Sequence, residues 1–278
     1  MRDFRLAFTL AASALLAGCA GPATKPEVAT PTRRAAPAPA VVSIAPEPAR
    51  VTPAASEMDR LRRLAPELDS GVLALALEAR SCAVRNGQAN ADARLAVIDY
   101  SLPSTQKRLW VFDVAQDKLL FREHVAHGQG SGENVARRFS NVEGSYQTSL
   151  GLFRTAETYQ GGNGYSLRMD GLDPGFNDAA RQRAIVMHGA WYANPDLIRT
   201  QGRLGRSQGC PALREGVARV VIDSLKQQQL VFAYADDAAF LQRGRSFACD
   251  GRSAGQILAS ARQAMPGGGV MTAAVAAP

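Results

Sequence analysis

The feature that most constrains the fold of this chain is a series of short apolar runs between residues 95 and 234, none longer than twelve residues. The runs are rich in β-branched and aromatic residues, and polar turns such as Ala115-Gln116-Asp117 separate them. This pattern is typical of β-strands joined by hairpins, because amphipathic helices need longer segments. The runs cover residues 95–99, 108–114, 118–125, 144–155, 166–169, 184–187 and 230–234.

A helical pattern precedes these strands. Leucine and alanine recur at helical spacing from Ser56 onwards, with a break at Pro66, and predict one or two helices over residues 56–92. Residues 215–226 predict a further amphipathic helix. The sequence therefore predicts an α+β, β-rich fold in which a helical cap packs on a sandwich-like domain over residues 93–249. That domain is long enough to bury one core.

The first residues resemble a secretion signal. Two arginines precede an apolar stretch over residues 6–16, which is too short to span the ~30 Å hydrocarbon layer of a bilayer and is typical of a signal peptide over residues 1–18. The stretch ends in Leu16-Ala17-Gly18-Cys19, which resembles a bacterial lipobox and predicts lipidation of Cys19. An ordinary secretory signal with a chance cysteine is the alternative. Because alanine rather than aspartate follows, we expect a periplasmic protein with a lipid anchor in the outer membrane.

Two further segments lack the pattern of a folded domain. Residues 19–55 are rich in proline and alanine, which favours an extended tether of reach on the order of 100 Å. Periodicity is lost after Cys249, and residues 250–278 include a run of three glycines. The sequence therefore predicts a disordered tail over residues 250–278.

A histidine and a cysteine stand in a pattern that favours nucleophilic catalysis. His188 ends the apolar run over residues 184–187, and Cys210 follows 22 positions later, between glycine and proline. A thiol has a free pKa of about 8.5, so it attacks well only after a base takes its proton. Gly209 leaves backbone N–H groups near the cysteine free to bind an oxyanion. For either residue taken alone, the alternative is a structural role in the core.

The motif His188-Gly189, followed by Ser207-Gln208-Gly209-Cys210, resembles the signature of the YkuD-type L,D-transpeptidases of bacterial peptidoglycan. Further matched segments extend the resemblance over about residues 93–236. The resemblance implies a YkuD-type β-sandwich catalytic domain over residues 93–249 that acts on peptidoglycan stem peptides. It also implies Cys210 as the nucleophile and His188 as the base, with Ser207 and Gly209 in the catalytic loop.

The resemblance leaves the second half of the reaction open. It implies a thioester between the cysteine and the meso-diaminopimelate of a donor peptide, which an amine resolves by transpeptidation and water by hydrolysis. Many members carry arginine where this chain has Ala212, and histidine where it has Gln208. The acceptor stays open between a stem peptide, a lipoprotein lysine, a D-amino acid and water. The alternatives are an L,D-carboxypeptidase, endopeptidase or amidase, and a non-catalytic wall-binding lipoprotein.

Four further residues are expected to contact the substrate. Gly189, Tyr192 and Arg206 lie close in sequence to the histidine and the cysteine. His127 heads a glycine-rich turn, which we expect at the rim of the cleft, where the histidine would meet a carboxylate or a carbonyl of the substrate. No Gly-Lys-Ser/Thr follows in this turn, so the sequence does not support a phosphate-binding loop.

The other two cysteines, Cys82 and Cys249, predict a disulfide in an oxidising compartment, which would stabilise the fold by roughly 2–4 kcal/mol. Two unpaired buried thiols are the alternative. The three histidines show no metal-ligand spacing, so we expect no metal and no other cofactor. The net charge of +7 suits an anionic polymer. We expect no nucleic-acid partner, because the chain has no nucleic-acid-binding motif.

Overall fold

The structure, a computed structural model, describes residues 53–264. The predicted signal peptide over residues 1–18, Cys19 and nearly all of the tether over residues 19–55 lie outside the described residues, as does the chain from residue 265 onwards. Within the described part, no helix is both long enough and apolar enough to cross a membrane.

The described residues form helices around a sheet. The helices are α1 (Pro53–Leu64), α2 (Ser70–Arg85), α3 (Asp196–Gln201), α4 (Glu215–Leu225), α5 (Ala238–Arg243) and α6 (Ala254–Gln263), with a 3-10 turn at Trp191–Ala193. The strands are β1 (Leu95–Asp99), β2 (Leu109–Asp113), β3 (Lys118–Glu123), β4 (Gly151–Gly161), β5 (Gly164–Gly171), β6 (Val186–Gly189), β7 (Ala212–Leu213) and β8 (Leu230–Tyr234).

The first two helices form the cap. Helix α1 begins at Pro53, three residues before the predicted start, because proline is well tolerated in the first turn of a helix. Helix α2 begins after Asp69, whose carboxylate accepts a hydrogen bond of 3.0 Å from the N–H of Val72. Most of α2 is buried, since it packs against α1, α6 and the sheet. It therefore belongs to the core.

One mixed sheet contains all eight strands, in the order β3-β2-β1-β8-β4-β5-β6-β7. Strands β1 and β8 are parallel at its centre, and β6 and β7 are parallel at one end, while the other pairs are antiparallel. Every residue of β1, β2 and β8 is buried. Strands covered on both faces have continuous apolar runs, which is why the sequence predicted these three well.

The two ends of the sheet approach each other beyond the regular strands. Ala126, which follows β3, forms an antiparallel bridge with Ala212 of β7, and Gly128 forms a parallel bridge with Ser207. The sheet is barrel-like as a result. The predicted α+β, β-rich fold with an N-terminal helical region is confirmed.

The prediction for β4 was wrong in its bounds. We expected a strand over residues 144–155, whereas β4 covers Gly151–Gly161. Gly144 and Tyr146 have φ angles of 73° and 53°, which break an extended chain, and a positive φ is not expected from sequence for a tyrosine. The segment 140–149 instead runs along the functional site.

The prediction of a disordered tail over residues 250–278 was wrong for its first part. Helix α6 begins with a capping box in which the Ser253 hydroxyl accepts from the N–H of Gln256, and the Gln256 side chain accepts from the N–H of Ser253. Ile257 and Leu258 are buried against the core. A disulfide joins Cys82 on α2 to Cys249 just before this helix, with Cα atoms 5.7 Å apart.

Candidate active site

The pairing of two short strands positions the histidine and the cysteine. His188 lies on β6, between β5 and β7, and its register partner on β7 is Ala212. Cys210 comes two residues before Ala212, so it enters the site just ahead of the strand that pairs with the histidine. Both residues are buried and line one cavity of about 600 Å³. The structure thus brings together the two residues that the sequence predicted as a base and a nucleophile.

A single backbone contact fixes the protonation of His188. Its Nδ1 lies 2.9 Å from the carbonyl oxygen of Gly189, and a carbonyl can only accept a hydrogen bond. Nδ1 therefore carries the proton, and Nε2 keeps its lone pair. Burial lowers the pKa of the imidazole, although the backbone hydrogen bond acts in the opposite direction. The ring is neutral at pH 7 and has the form of a general base.

The thiol of Cys210 is held by backbone groups. Its Sγ accepts a hydrogen bond from the N–H of Val186 at 3.5 Å, and its S–H donates to the carbonyl of Ala184 at 3.8 Å. Burial raises the pKa of the thiol above its ordinary value, while the Val186 N–H and the charge of Arg183 act to lower it. At neutral pH the group is a thiol, which needs a base before it can attack.

Ser207 and Gly209 shape the loop that presents the cysteine. The Ser207 hydroxyl donates to the carbonyl of Cys210 at 2.6 Å and accepts from the N–H of Gly209 at 3.1 Å. Gly209 has a φ of 121°, and a side chain there would meet the carbonyl oxygen of Gln147 at 2.9 Å. Only glycine fits without strain.

The expectation that the N–H of Gly209 is free for an oxyanion was wrong, because it donates to the Ser207 hydroxyl. Among the hydrogen bonds of residues 53–264, none occupies the N–H of Cys210. This N–H belongs to the same residue as the sulfur and is free to donate to an oxygen bound there.

Two of the four expected substrate contacts line the cavity. Tyr192 and Arg206 are both half-buried there, and the Tyr192 ring meets the His188 ring edge-on at 6.4 Å between centroids. Burial raises the pKa of the Tyr192 hydroxyl to about 12, so the group stays neutral. The guanidinium of Arg206 forms an ion pair of 2.7 Å with Glu133 and donates to the carbonyl of Gly132.

The other two expected contacts were placed wrongly. His127 is fully buried, its Nδ1 accepts from Arg108 at 2.7 Å, and its Nε2 faces the carbonyl of Gly132 at 3.3 Å. It holds the glycine-rich turn from inside and does not line the cavity. Gly189 does not line the cavity either. It contributes through the carbonyl that orients His188, and a side chain there would approach Ala218 to 3.0 Å.

Several residues that line the cavity were not predicted from the sequence, among them Arg183, Ala184 and Tyr146. Ala184 and Tyr146 have φ angles of 54° and 53°, a strained conformation for residues with side chains, and such strain concentrates at functional sites. Arg183 precedes β6, and only the fold reveals its contacts.

Comparison with solved structures gives distant likenesses only. An L,D-transpeptidase from Mycobacterium smegmatis is 14% identical, with a TM-score of 0.33, over 51% of this chain and 59% of that one. An L,D-transpeptidase from Stackebrandtia nassauensis is 12% identical, with a TM-score of 0.32, over 66% of this chain and 78% of that one. The chain thus spans 59% of the length of the first of these two structures.

The match to a protein family is more extensive. No curated protein matches the chain. Residues 64–234, which are more than half of the chain, match the family described as the L,D-transpeptidase catalytic domain. The matched region contains His188, Cys210 and every residue that lines their cavity. The chain therefore belongs to the family of L,D-transpeptidase catalytic domains.

Proposed function

We propose that the protein is an L,D-transpeptidase of peptidoglycan, with Cys210 as the nucleophile and His188 as the general base. The observation that carries the proposal is that His188, whose Nδ1 is engaged by the carbonyl of Gly189, and Cys210 line the same cavity within a domain that matches this family.

The first half-reaction would proceed as follows. Nε2 of His188 takes the proton from Cys210, and the sulfur attacks the carbonyl carbon of the meso-diaminopimelate residue in a tetrapeptide donor. The N–H of Cys210 donates to the oxyanion that forms. When the C–N bond breaks, His188 returns the proton to the departing amine of D-alanine. The products of this step are a thioester on Cys210 and free D-alanine.

In the second half-reaction, the neutral His188 takes a proton from the acceptor, which attacks the thioester and releases the thiol. An amine gives a cross-link, and water gives a tripeptide. The cavity volume of about 600 Å³ lies within the range of small-ligand pockets. Transfer to an amine is the outcome we propose, on the strength of the family match.

The test uses purified protein with defined tetrapeptide muropeptides and mass analysis of the products. We expect release of D-alanine, no turnover with Cys210→Ala, and turnover lower by about 10²–10⁴-fold with His188→Ala, because the base is lost. His124→Ala is the control, since this histidine does not line the cavity, and it should retain wild-type turnover.

Full activity of Cys210→Ala would exclude the thiol mechanism. If the wild type turns over no stem peptide, a non-catalytic wall-binding protein becomes the better proposal. The ratio of cross-linked product to tripeptide then separates a transpeptidase from a carboxypeptidase or endopeptidase that uses the same thioester.

We also propose that Cys19 is lipidated and that the enzyme works in the periplasm from an anchor in the outer membrane. The support is the lipobox-like sequence that ends at Cys19 and the proline-rich tether that follows it. An extended tether would let an anchored enzyme reach a polymer some distance away.

A further inference from the structure

Arg183 is a half-buried arginine that lines the cavity together with Cys210. Its charge is not neutralised by an ion pair with any residue in the described part of the chain. Arg181, two positions earlier, forms the contrast, because it is paired with both Glu157 and Asp170 on the surface. An unpaired, partly desolvated charge next to a thiol calls for an explanation.

The guanidinium of Arg183 is fastened by its four terminal N–H groups. Nη1 donates to the carbonyl of Ser140 at 2.7 Å and to the Ser149 hydroxyl at 2.5 Å. Nη2 donates to the carbonyl of Gln147 at 2.8 Å and to the Ser145 hydroxyl at 3.3 Å. All four acceptors belong to the segment 140–149. The fork of one arginine thus ties this segment, which includes residues that line the cavity, to the turn before β6.

The same guanidinium lies against the loop that presents the cysteine. Nη2 is 3.5 Å from the position that a Cβ would take on Gly209, the residue before Cys210. Its positive charge acts on the Cys210 thiol and favours the thiolate over the thiol.

The other groups that face the cysteine are neutral, exposed or paired. Burial keeps His188 neutral, because its pKa is lowered, and keeps Tyr192 neutral, because its pKa is raised. Tyr100 is likewise neutral, since burial raises its pKa. Two other charged residues line the cavity. Glu143 is exposed, and Arg206 forms an ion pair with Glu133. Arg183 forms no ion pair within the described residues, although the exposed Glu143 carboxylate acts on its charge from a longer distance.

We propose that Arg183 is a positioning residue of the active site: its guanidinium holds segment 140–149 along the cavity and places an unneutralised positive charge beside the loop of Cys210, where it stabilises the thiolate. This role rests on the proposed function of Cys210 as the nucleophile. In the reaction, the charge of Arg183 lowers the free energy of the thiolate at the moment when His188 takes the proton.

The test measures the reactivity of the thiol without the natural substrate. Iodoacetamide reacts with the full-length protein over a range of pH, as the thiolate sulfur displaces iodide, and mass spectrometry follows the peptide that contains Cys210. Three variants are compared with the wild type. Arg183→Gln removes the charge, Arg183→Lys keeps the charge without the fork, and Arg181→Gln removes a nearby charge that does not line the cavity.

For Arg183→Gln we expect the pH of half-maximal alkylation to rise by about one unit, since a nearby opposite charge shifts a pKa by roughly 1–3 units. The profiles of Arg183→Lys and Arg181→Gln should coincide with that of the wild type. On muropeptides, Arg183→Lys should raise KM several-fold, because a lysine cannot fasten segment 140–149 at four points.

An unchanged pH of half-maximal alkylation for Arg183→Gln would overturn the role of the charge. An equal rise of this pH for Arg183→Lys would also overturn it, because the cause would then be the displacement of segment 140–149. If Arg183→Gln does not fold, the Lys profile alone decides: agreement with the wild type supports the proposal, and a rise of a full unit contradicts it. If the wild type turns over no muropeptide while Arg183→Gln still shifts the alkylation profile to higher pH, that result would support the role of Arg183 and contradict the proposed transpeptidase function.

Discussion

The two buried histidines, His127 and His188, have opposite tautomers because their Nδ1 atoms have opposite partners. Nδ1 of His127 accepts from Arg108, so its proton is on Nε2, which faces a carbonyl inside the protein. Nδ1 of His188 donates to the carbonyl of Gly189, so Nε2 has a lone pair that can accept a proton. A sequence shows neither partner, which is why His127 was expected at the rim of the cleft although it is buried inside the protein.

At the residue scale, His127 should make the protein sensitive to acid. Burial and the nearby charge of Arg108 lower its pKa to about 3 from an ordinary value of 6.5. Between pH 6.5 and about 3, His127 is therefore protonated in the unfolded chain and neutral in the folded chain. The free energy of unfolding falls as the pH falls through this range. The loss of unfolding free energy should reach a few kcal/mol, because each unit of difference between the folded and unfolded pKa contributes about 1.4 kcal/mol.

The substitution His127→Gln tests this, because an amide can accept from Arg108 and donate to a carbonyl without titrating. We expect the variant to lose less stability than the wild type between pH 7 and pH 4, as measured by urea unfolding at each pH. Parallel curves of free energy against pH for the two proteins would show that another group causes the acid sensitivity.

At the scale of elements, the sequence predicted the buried strands well and the functional segment poorly. Strands β1 and β8 are continuous apolar runs, so composition alone locates them. The segment 140–149 takes its course from two residues with positive φ and from hydrogen bonds to Arg183, which is more than thirty positions away. Contacts over such distances leave no local pattern in a single sequence.

The prediction missed helix α6 for a different reason. Its apolar face is short, since only Ala254, Ile257 and Leu258 are buried, and the periodicity over ten residues is weak. The signal that could have found it is the capping box formed by Ser253 and Gln256. For His188 and Cys210, the residue types and a family resemblance predicted a base and a nucleophile, but a sequence does not show that the N–H of Cys210 is free of hydrogen bonds within the described residues.

Helix α6 should depend measurably on its cap. We expect Ser253→Ala to lower the free energy of unfolding by about 1 kcal/mol, since the N–H of Gln256 loses its acceptor. Ser260→Ala is the matched control, because this serine lies exposed within the helix, and it should change stability by less than about 0.5 kcal/mol. Equal stability of the two variants in urea would mean that the Ser253 cap does not stabilise the protein.

At the scale of the whole molecule, the proposed lipid anchor would hold the protein at a membrane. We expect Cys19→Ala to abolish labelling by a radioactive or clickable fatty acid and to release the protein into the soluble periplasmic fraction, because acyl chains and no transmembrane helix would hold it. Cys210→Ala is the control, since it removes a free cysteine without touching the lipobox or the disulfide. Unchanged labelling and membrane association of Cys19→Ala would rule out the lipoprotein.

The burial of Cys210 has a consequence for the protein's exposure to oxidants. Within residues 53–264, Cys210 is the one free thiol, while Cys82 and Cys249 are joined in a disulfide. Sulfenic acid formation and thiol–disulfide exchange both require an accessible thiolate, and Cys210 is buried and protonated at rest. Burial and protonation therefore protect the Cys210 sulfur from oxidants at neutral pH, and the same low basal reactivity would make a general base necessary in the proposed mechanism.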